Sequence, residues 1–294
     1  MTPLPSSPFR FLLVGAGRVG TGVGALLRSA GHTVSGVASR SPASVARAVE
    51  VLEAPRMDLD PGGWPDADLV LIGAGDGAIE GLVSGAASRL RGRVVVHFAG
   101  ALGVEPLRRA VDAGAVGCAL HPVQACPDVD TAIARLPGSA WGVTCSSPEA
   151  ERWASETIMS DLDGDPRIVA EDHRPLWHAA SVVTSNGIAT LLASSEAILD
   201  EIGVAAPVDV VGPLAAGTVA NARQGGGGGP TLTGPVVRGE VATIRSHLDA
   251  VAKRAPSMLD TYVTVTRLVL AAATRSGRLP RETAIRIETV LDRG

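Results

Sequence analysis

Lysine is almost missing from this 294-residue chain: of its 26 basic side chains only Lys253 is a lysine. Schiff-base chemistry, lysine-held pyridoxal phosphate and lysine general acids therefore have a single residue to draw on. A P-loop would lack its lysine altogether. Positive charge is not in surplus either. The formal net charge is −4, which gives no global field for nucleic acid or anionic lipid. The cysteines are few, Cys118, Cys126 and Cys145. They have no metal-like spacing, so no metal site is expected and a reducing cytoplasm is the expected compartment. Long uncharged apolar runs are missing too, despite a mean hydropathy of +0.25. The nearest candidate, Val204–Ala222, is interrupted by Pro207, Asp209 and Pro213, so no membrane span is expected. The run Phe11–Gly17 is too short for a signal peptide and reads as a first strand.

What is present is a large apolar fraction, 46%, enough for a real core. The length suits about two domains. Short β-rich runs alternate with helical stretches through the first half. Strands are expected at Phe11–Val14, Thr33–Ala38, Asp68–Gly73, Arg93–His97, Val116–Leu120 and Ala140–Cys145. Such alternation specifies βαβ units, hence a mostly parallel sheet covered on both faces. Near residue 170 the strand signals stop. Helices are expected at Asp172–Ile202, Val208–Gln224, Pro235–Ala255, Ser257–Ser276 and Arg281–Asp292, with Gly225–Gly229 as a flexible connector. The expected organisation is an α/β domain over residues 1–170 and an all-α domain over 171–294.

The strongest motif is Gly15-Ala16-Gly17-Arg18-Val19-Gly20, placed directly after the first strand and opening a helix. In that position it is the dinucleotide fingerprint of a Rossmann domain. Gly15 permits the tight turn, Gly17 lets a pyrophosphate approach the backbone, and Gly20 allows close helix–strand packing. The end of the second strand chooses the cofactor. An NAD site carries an acidic residue there to bind the ribose hydroxyls; this chain has Ser39-Arg40 instead. Arg40 offers a fork of donors for a 2′-phosphate, which favours NADP(H), unless it is a solvated loop arginine. Ligands bind beyond the carboxyl ends of the strands. Ala74, Gly75 and Asp76 should therefore border the ribose, with Asp76 alternatively capping its own helix. Ala99 and Gly100 should lie near the nicotinamide.

Three clusters carry candidate chemistry. His121, at a strand's carboxyl end with Gln124 close by, is a general acid or base facing the crevice, or a hydrogen-bonded structural residue. On the long helix His178, Ser181, Ser185 and Asn186 share one stripe, which is either a catalytic face or a helix–helix contact. Thr233 or Gly234 should cap the helix opened by Pro235, and Arg238 in its first turn calls for an anion. That anion is a substrate carboxylate, a cofactor phosphate, or Glu240. Cys126 reads as a packing residue.

These marks in this order resemble the Rossmann-like oxidoreductases whose C-terminal half is a helical domain of unknown function. Those are distant relatives of ketopantoate reductase, pyrroline-5-carboxylate reductase and the prephenate dehydrogenases. The resemblance implies a helical domain similar to that of 6-phosphogluconate dehydrogenase, a homodimer formed through it, and hydride transfer from NADPH. The substrate would be a small keto acid, or an imine, held between the domains. A non-catalytic NADPH sensor is the reading from another class. In the lysine-using relatives an interdomain helix carries a catalytic lysine, with asparagines following one or two turns later. By position His178 resembles a replacement for that lysine, Asn186 resembles the substrate-binding asparagine, and Val182 stands where the intermediate asparagine would be. The resemblance therefore implies catalytic roles for His178, His121 and Asn186, and substrate binding by Gln124, Ser185, Thr233 and Arg238.

Overall fold

The chain order of elements is β1 (Arg10–Val14), α1 (Arg18–Ser29), β2 (Thr33–Ala38), α2 (Pro42–Leu52), β3 (Leu69–Ile72), α3 (Asp76–Leu90), β4 (Val94–His97), α4 (Arg108–Asp112), β5 (Val116–Pro122), α5 (Val129–Arg135), β6 (Ala140–Cys145), α6 (Pro148–Trp153), α7 (Met159–Asp161), β7 (Asp165–Ile168) and α8 (Arg174–Asp200). There follow α9 (Pro207–Gln224), α10 (Gly228–Thr231), α11 (Pro235–Arg238), α12 (Val241–Arg254), α13 (Leu259–Arg275) and α14 (Arg281–Leu291). The computed structural model describes residues 3–292. It divides into two units, one ending at Val182 and one beginning at Val183.

β3 and β4 are buried along their whole length and β1 beyond Arg10. Strands with no polar face must be covered on both sides. The alternation of the pleat sorts β1 accordingly. Phe11 and Leu13 pack with Val23 and Leu27 of α1, whereas Leu12 and Val14 pack with Ile79 and Val83 of α3. The sheet order is β2-β1-β3-β4-β5-β6-β7, with β1 to β5 all parallel. The chain leaves β1 towards β2 on one side and returns to β3 on the other. The carboxyl ends of β1 and β3 therefore flank the switch point where such sheets bind ligands.

Several features depart from the sequence expectations. β6 runs antiparallel to β5, and a further strand, β7, pairs parallel with β6. β7 went unforeseen because Asp165-Pro166-Arg167-Ile168 is mostly exposed and lacks an apolar run. α5 was likewise hidden behind its small polar residues. Cys118 and Cys145 face each other across β5 and β6, with Cα atoms 4.1 Å apart, and form a disulfide. Sequence spacing alone could not reveal that register. Residues 175–195 form an uncharged stretch, and the helix over 171–200 is long and apolar enough, by length and composition, to cross a membrane. The interleaved His, Ser, Thr and Asn residues masked this stretch in the sequence.

The second unit has its own core, built by Ile244 and Leu248 of α12, Leu270 and Ala273 of α13, and Ile287 of α14. The single helix expected over Pro235–Ala255 is broken. Gly239, at φ +71°, terminates α11 in the left-handed region, and α12 starts afresh after Glu240. Arg238 therefore ends a four-residue helix and does not sit in the first turn of a long one.

Candidate active site

The glycine loop is locked by the protein's own backbone. The Gly15 N–H donates to the Ala38 carbonyl at 2.7 Å and the Gly17 N–H to the Gly73 carbonyl at 3.1 Å. Gly15 has φ +81°, open to glycine and costly for other residues. A Cβ on Gly17 would stand 2.3 Å from the Gly73 oxygen, and one on Gly20 would stand 2.8 Å from the Gly73 Cα. Gly17 therefore owes its identity first to the end of β3. Gly73, which the fingerprint does not include, is the fourth member of the interlock. Gly17 caps α1 with no side-chain hydrogen bond, and the first turn holds no acidic residue. The N–H groups and partial positive charge of that terminus are left for an anion. Arg18 turns outward and donates to the Pro127 carbonyl. Val19 packs on the core.

Next to this loop lies a cavity of about 210 Å³, bounded by Gly15, Gly17, Ser39, Arg40, Ser44 and Gly75. Ser41 caps α2 by accepting from the Ser44 N–H. Arg40 is exposed at the rim. The donors gathered here fit a phosphate. At the start of α3 the cap is Gly75, and Asp76 is the first helical residue. Asp76 is therefore not the cap, although its charge still suits the helix N-terminus.

Two imidazoles meet above Gly100, in the loop after β4. His121 and His178 are half-buried, with ring centroids 5.5 Å apart and planes at 87°. A Cβ on Gly100 would lie 2.3 Å from His178 Cδ2 and 2.9 Å from His121 Nε2. Glycine at 100 is thus the condition for both rings to sit there. Trp177 Nε1–H donates to His121 Nδ1 at 3.1 Å. Burial, aided by the Arg174 and His178 charges, pushes the His121 pKa down to about 4. Beneath them His97 is fully buried. It accepts from the Ala99 N–H on Nδ1 and bonds the Gly103 carbonyl through Nε2. Its pKa is also depressed to about 4 by burial. It is a structural histidine that shapes the Ala99–Gly103 loop.

The anchor of this region is a residue the sequence did not single out. Arg174 opens α8 with no exposed surface. Its Nε donates to the Leu102 carbonyl, Nη1 to the Gly142 carbonyl and Nη2 to the Ala99 carbonyl, at 3.0, 3.0 and 2.6 Å. Burial lowers its pKa to about 10, so it stays charged near neutrality. Glu171 accepts the Val104 and Glu105 N–H groups. A lone charged residue in front of an apolar helix carries no recognisable signature.

The remaining candidates are placed as follows. Gln124 turns its amide onto its own surroundings, donating to the Arg135 carbonyl and Ser139 Oγ and accepting from the Ala125 N–H. Ser181 bonds back to the Trp177 carbonyl. Ser185 and Asn186 are exposed on α8, within the second unit. In that same unit Thr233 is exposed, and Arg238 forms a bidentate pair with Glu240 at 2.6 and 3.2 Å. Of the three partners considered for Arg238, the carboxylate of Glu240 is the one it takes. Burial raises the Cys126 thiol pKa, as suits a packing residue. Among the described residues no cluster could hold a metal ion.

Residues 6–122 match the Rossmann-like domain family, and residues 139–269 match a domain of unknown function, DUF2520. No curated protein matches the chain. Among solved structures it is similar to a protein of Bacteroides fragilis provisionally assigned as an NADP oxidoreductase: 23% identity, 89% of this chain and 97% of that one covered, TM-score 0.72. It is also similar to a reductive aminase from Aspergillus terreus in complex with NADPH and ethyl levulinate, at 16% identity, 96% and 99% coverage and TM-score 0.63. A pyrroline-5-carboxylate reductase from Coxiella burnetii matches at 14% identity, 97% and 99% coverage and TM-score 0.58. At these identities the likeness establishes the fold: a mostly parallel Rossmann-like sheet followed by a helical region.

The depressed pKa values make a stability prediction. In the unfolded chain His97 and His121 take up protons near the ordinary 6.5; in the folded chain they do so only at about 4. Between those limits the unfolded state binds more protons, so stability falls as pH drops from 6.5 towards 4. The melting temperature is expected to be lower at pH 4.5 than at pH 7.5, and His97→Gln, which keeps a donor for Gly103, should flatten the dependence. An unchanged slope in that variant would clear His97 of the effect.

Proposed function

We propose that this chain is an NADP(H)-dependent reductase of a carbon–nitrogen double bond. The observation that carries the reading is the pair of half-buried imidazoles above Gly100, at the carboxyl ends of β4 and β5 in the sheet whose β1 end holds the glycine cradle. The cradle fits a dinucleotide by its uncapped helix terminus and its Cβ-free approach. Arg40 and the α2 terminus fit a 2′-phosphate. When bound, NADPH supplies the hydride. His178 then holds the proton destined for the substrate nitrogen, and His121 orients the acceptor. General acid catalysis of this kind contributes about 10²–10⁴-fold.

One support favours an imine over a keto acid. The reductive aminase and the pyrroline-5-carboxylate reductase to which the fold is similar are both named for reactions at carbon–nitrogen bonds. Ketopantoate and other keto acids remain the second substrate class.

The partner we propose is a second copy of the chain. α9 contributes no buried residue, and Val208, Val210, Leu214 and Val219 are exposed along it, as are Val183, Ile188 and Leu191 on α8. That much bare aliphatic surface is characteristic of an obligate interface.

Arg40→Ala should raise the NADPH Kd by about 10-fold or more and leave that of NADH unchanged, from the loss of charge-assisted hydrogen bonds. Equal weakening of both nucleotides would undo the 2′-phosphate assignment. His178→Ala should lower kcat by at least ~100-fold on cyclic imines, with cofactor affinity nearly unchanged; retained activity would remove His178 as proton donor. Light scattering should give twice the 29.8 kDa chain mass, with Leu214→Asp shifting it towards the single-chain value. A wild-type monomer would refute the pairing.

A further inference from the structure

The hydrogen bond between Trp177 and His121 decides which nitrogen of His121 carries the proton. An indole N–H can only donate. Its partner, Nδ1 at 3.1 Å, must therefore be a bare lone pair. A neutral imidazole with Nδ1 bare has its proton on Nε2. Among the described residues Nε2 has no hydrogen-bond partner, and it lies against Gly100, where a Cβ would be 2.9 Å away. The free N–H therefore opens onto the loop beyond β4, beside the edge of His178. The placement of the indole is itself constrained. A Cβ on Gly142 would lie 2.7 Å from Trp177 Nε1 and 3.1 Å from Arg174 Nη1. Gly142 is the register partner of His121 across β5 and β6. The strand pair thus presents the imidazole from one side and the room for the indole from the other.

We propose that Trp177 is a positioning residue that locks His121 as the neutral Nε2–H tautomer, making it a fixed hydrogen-bond donor to the acceptor atom of the substrate while His178 alone transfers the proton. This rests on the reading of the Gly100 crevice as the site of reduction. Two adjacent imidazoles that could both ionise would repel each other and share one titration. With Nδ1 occupied by a donor, His121 cannot take a second proton without breaking that bond. The charged groups facing it act in the same direction: the buried Arg174 and, when protonated, His178 both disfavour an imidazolium. The two histidines are thereby assigned different tasks by the indole of Trp177.

The test is a long-range ¹H–¹⁵N spectrum of the full-length protein labelled at its six histidines, with His121 assigned from His121→Gln. In the wild type, His121 should show a protonated Nε2 and a bare Nδ1, unchanged from pH 5 to 8. In Trp177→Phe it should become a mixture of tautomers and take up its second proton at a higher pH. A wild-type His121 protonated on Nδ1, or a single Nε2–H tautomer persisting in Trp177→Phe, overturns the proposal. Should Trp177→Phe not fold, the wild-type spectrum decides alone. None of this depends on turnover, so the absence of any reductase activity would defeat the functional reading and leave the tautomer result standing. With an active substrate, Trp177→Phe should lower kcat by about 3–10-fold, the value of one neutral hydrogen bond, with the NADPH KM unchanged. In a His121→Gln background, where the amide supplies the donor without help, the same substitution should have less than about a two-fold effect.

Discussion

The carboxyl end of the sheet at β4 and β5 depends on one buried cation. Arg174 has no exposed surface and, among the described residues, no ion pair; it is held by three backbone carbonyls, with the Glu171 charge acting on it from further off. Burying a charge without an ion-pair partner costs several kcal/mol unless its donors are satisfied. Here three charge-assisted bonds offset that cost, and they radiate to three separate stretches: Ala99 after β4, Leu102 further along the same loop, and Gly142 in β6. A lysine could not do this, because its ammonium is a compact point while the guanidinium is a planar fork.

From Arg174 the rest of the crevice follows. It begins α8, so three and four residues later the helix delivers Trp177 and His178 to the region the carbonyls define. Gly142 must be a glycine to admit both the guanidinium and the indole, and Gly100 must be one to admit both imidazoles. The positive charge also acts on pKa values: it adds to burial in holding His97 and His121 neutral. One residue therefore ties the loop after β4 to β6 and to the start of α8, and adds to the burial that keeps the histidines beside it neutral.

Much of this fold was legible in the sequence because its signals are local. The glycine fingerprint, the apolar strands and the caps each span a few residues, and they set the parallel sheet, the cradle and the exposed Arg40. The helical half was legible by the absence of strand patterns. What was not legible is pairwise. β7, the Cys118–Cys145 bridge and the Gly17–Gly73 approach depend on which strands become neighbours. The role of Arg174 depends on carbonyls up to 75 residues away. Arg238 was misread for a related reason: its meaning turned on whether α11 continued, and Gly239 ended it.

The glycine cradle shows how far a motif can be trusted. Its residues are usually explained by the ligand, yet Gly17 and Gly20 are required here by Gly73, a contact internal to the protein. A chain that never bound a nucleotide could keep all four glycines for the sake of the β1–β3 junction alone. The inference to NADP(H) therefore draws its weight from the groups the fold does not need: the uncapped start of α1, and Arg40, exposed at the rim of its cavity rather than packed into it. The same standard applies at the other end of the sheet. His97 satisfies both ring nitrogens within the protein and is explained by it. His121 satisfies one, through Trp177, and its open Nε2 is the feature that the fold leaves over for chemistry.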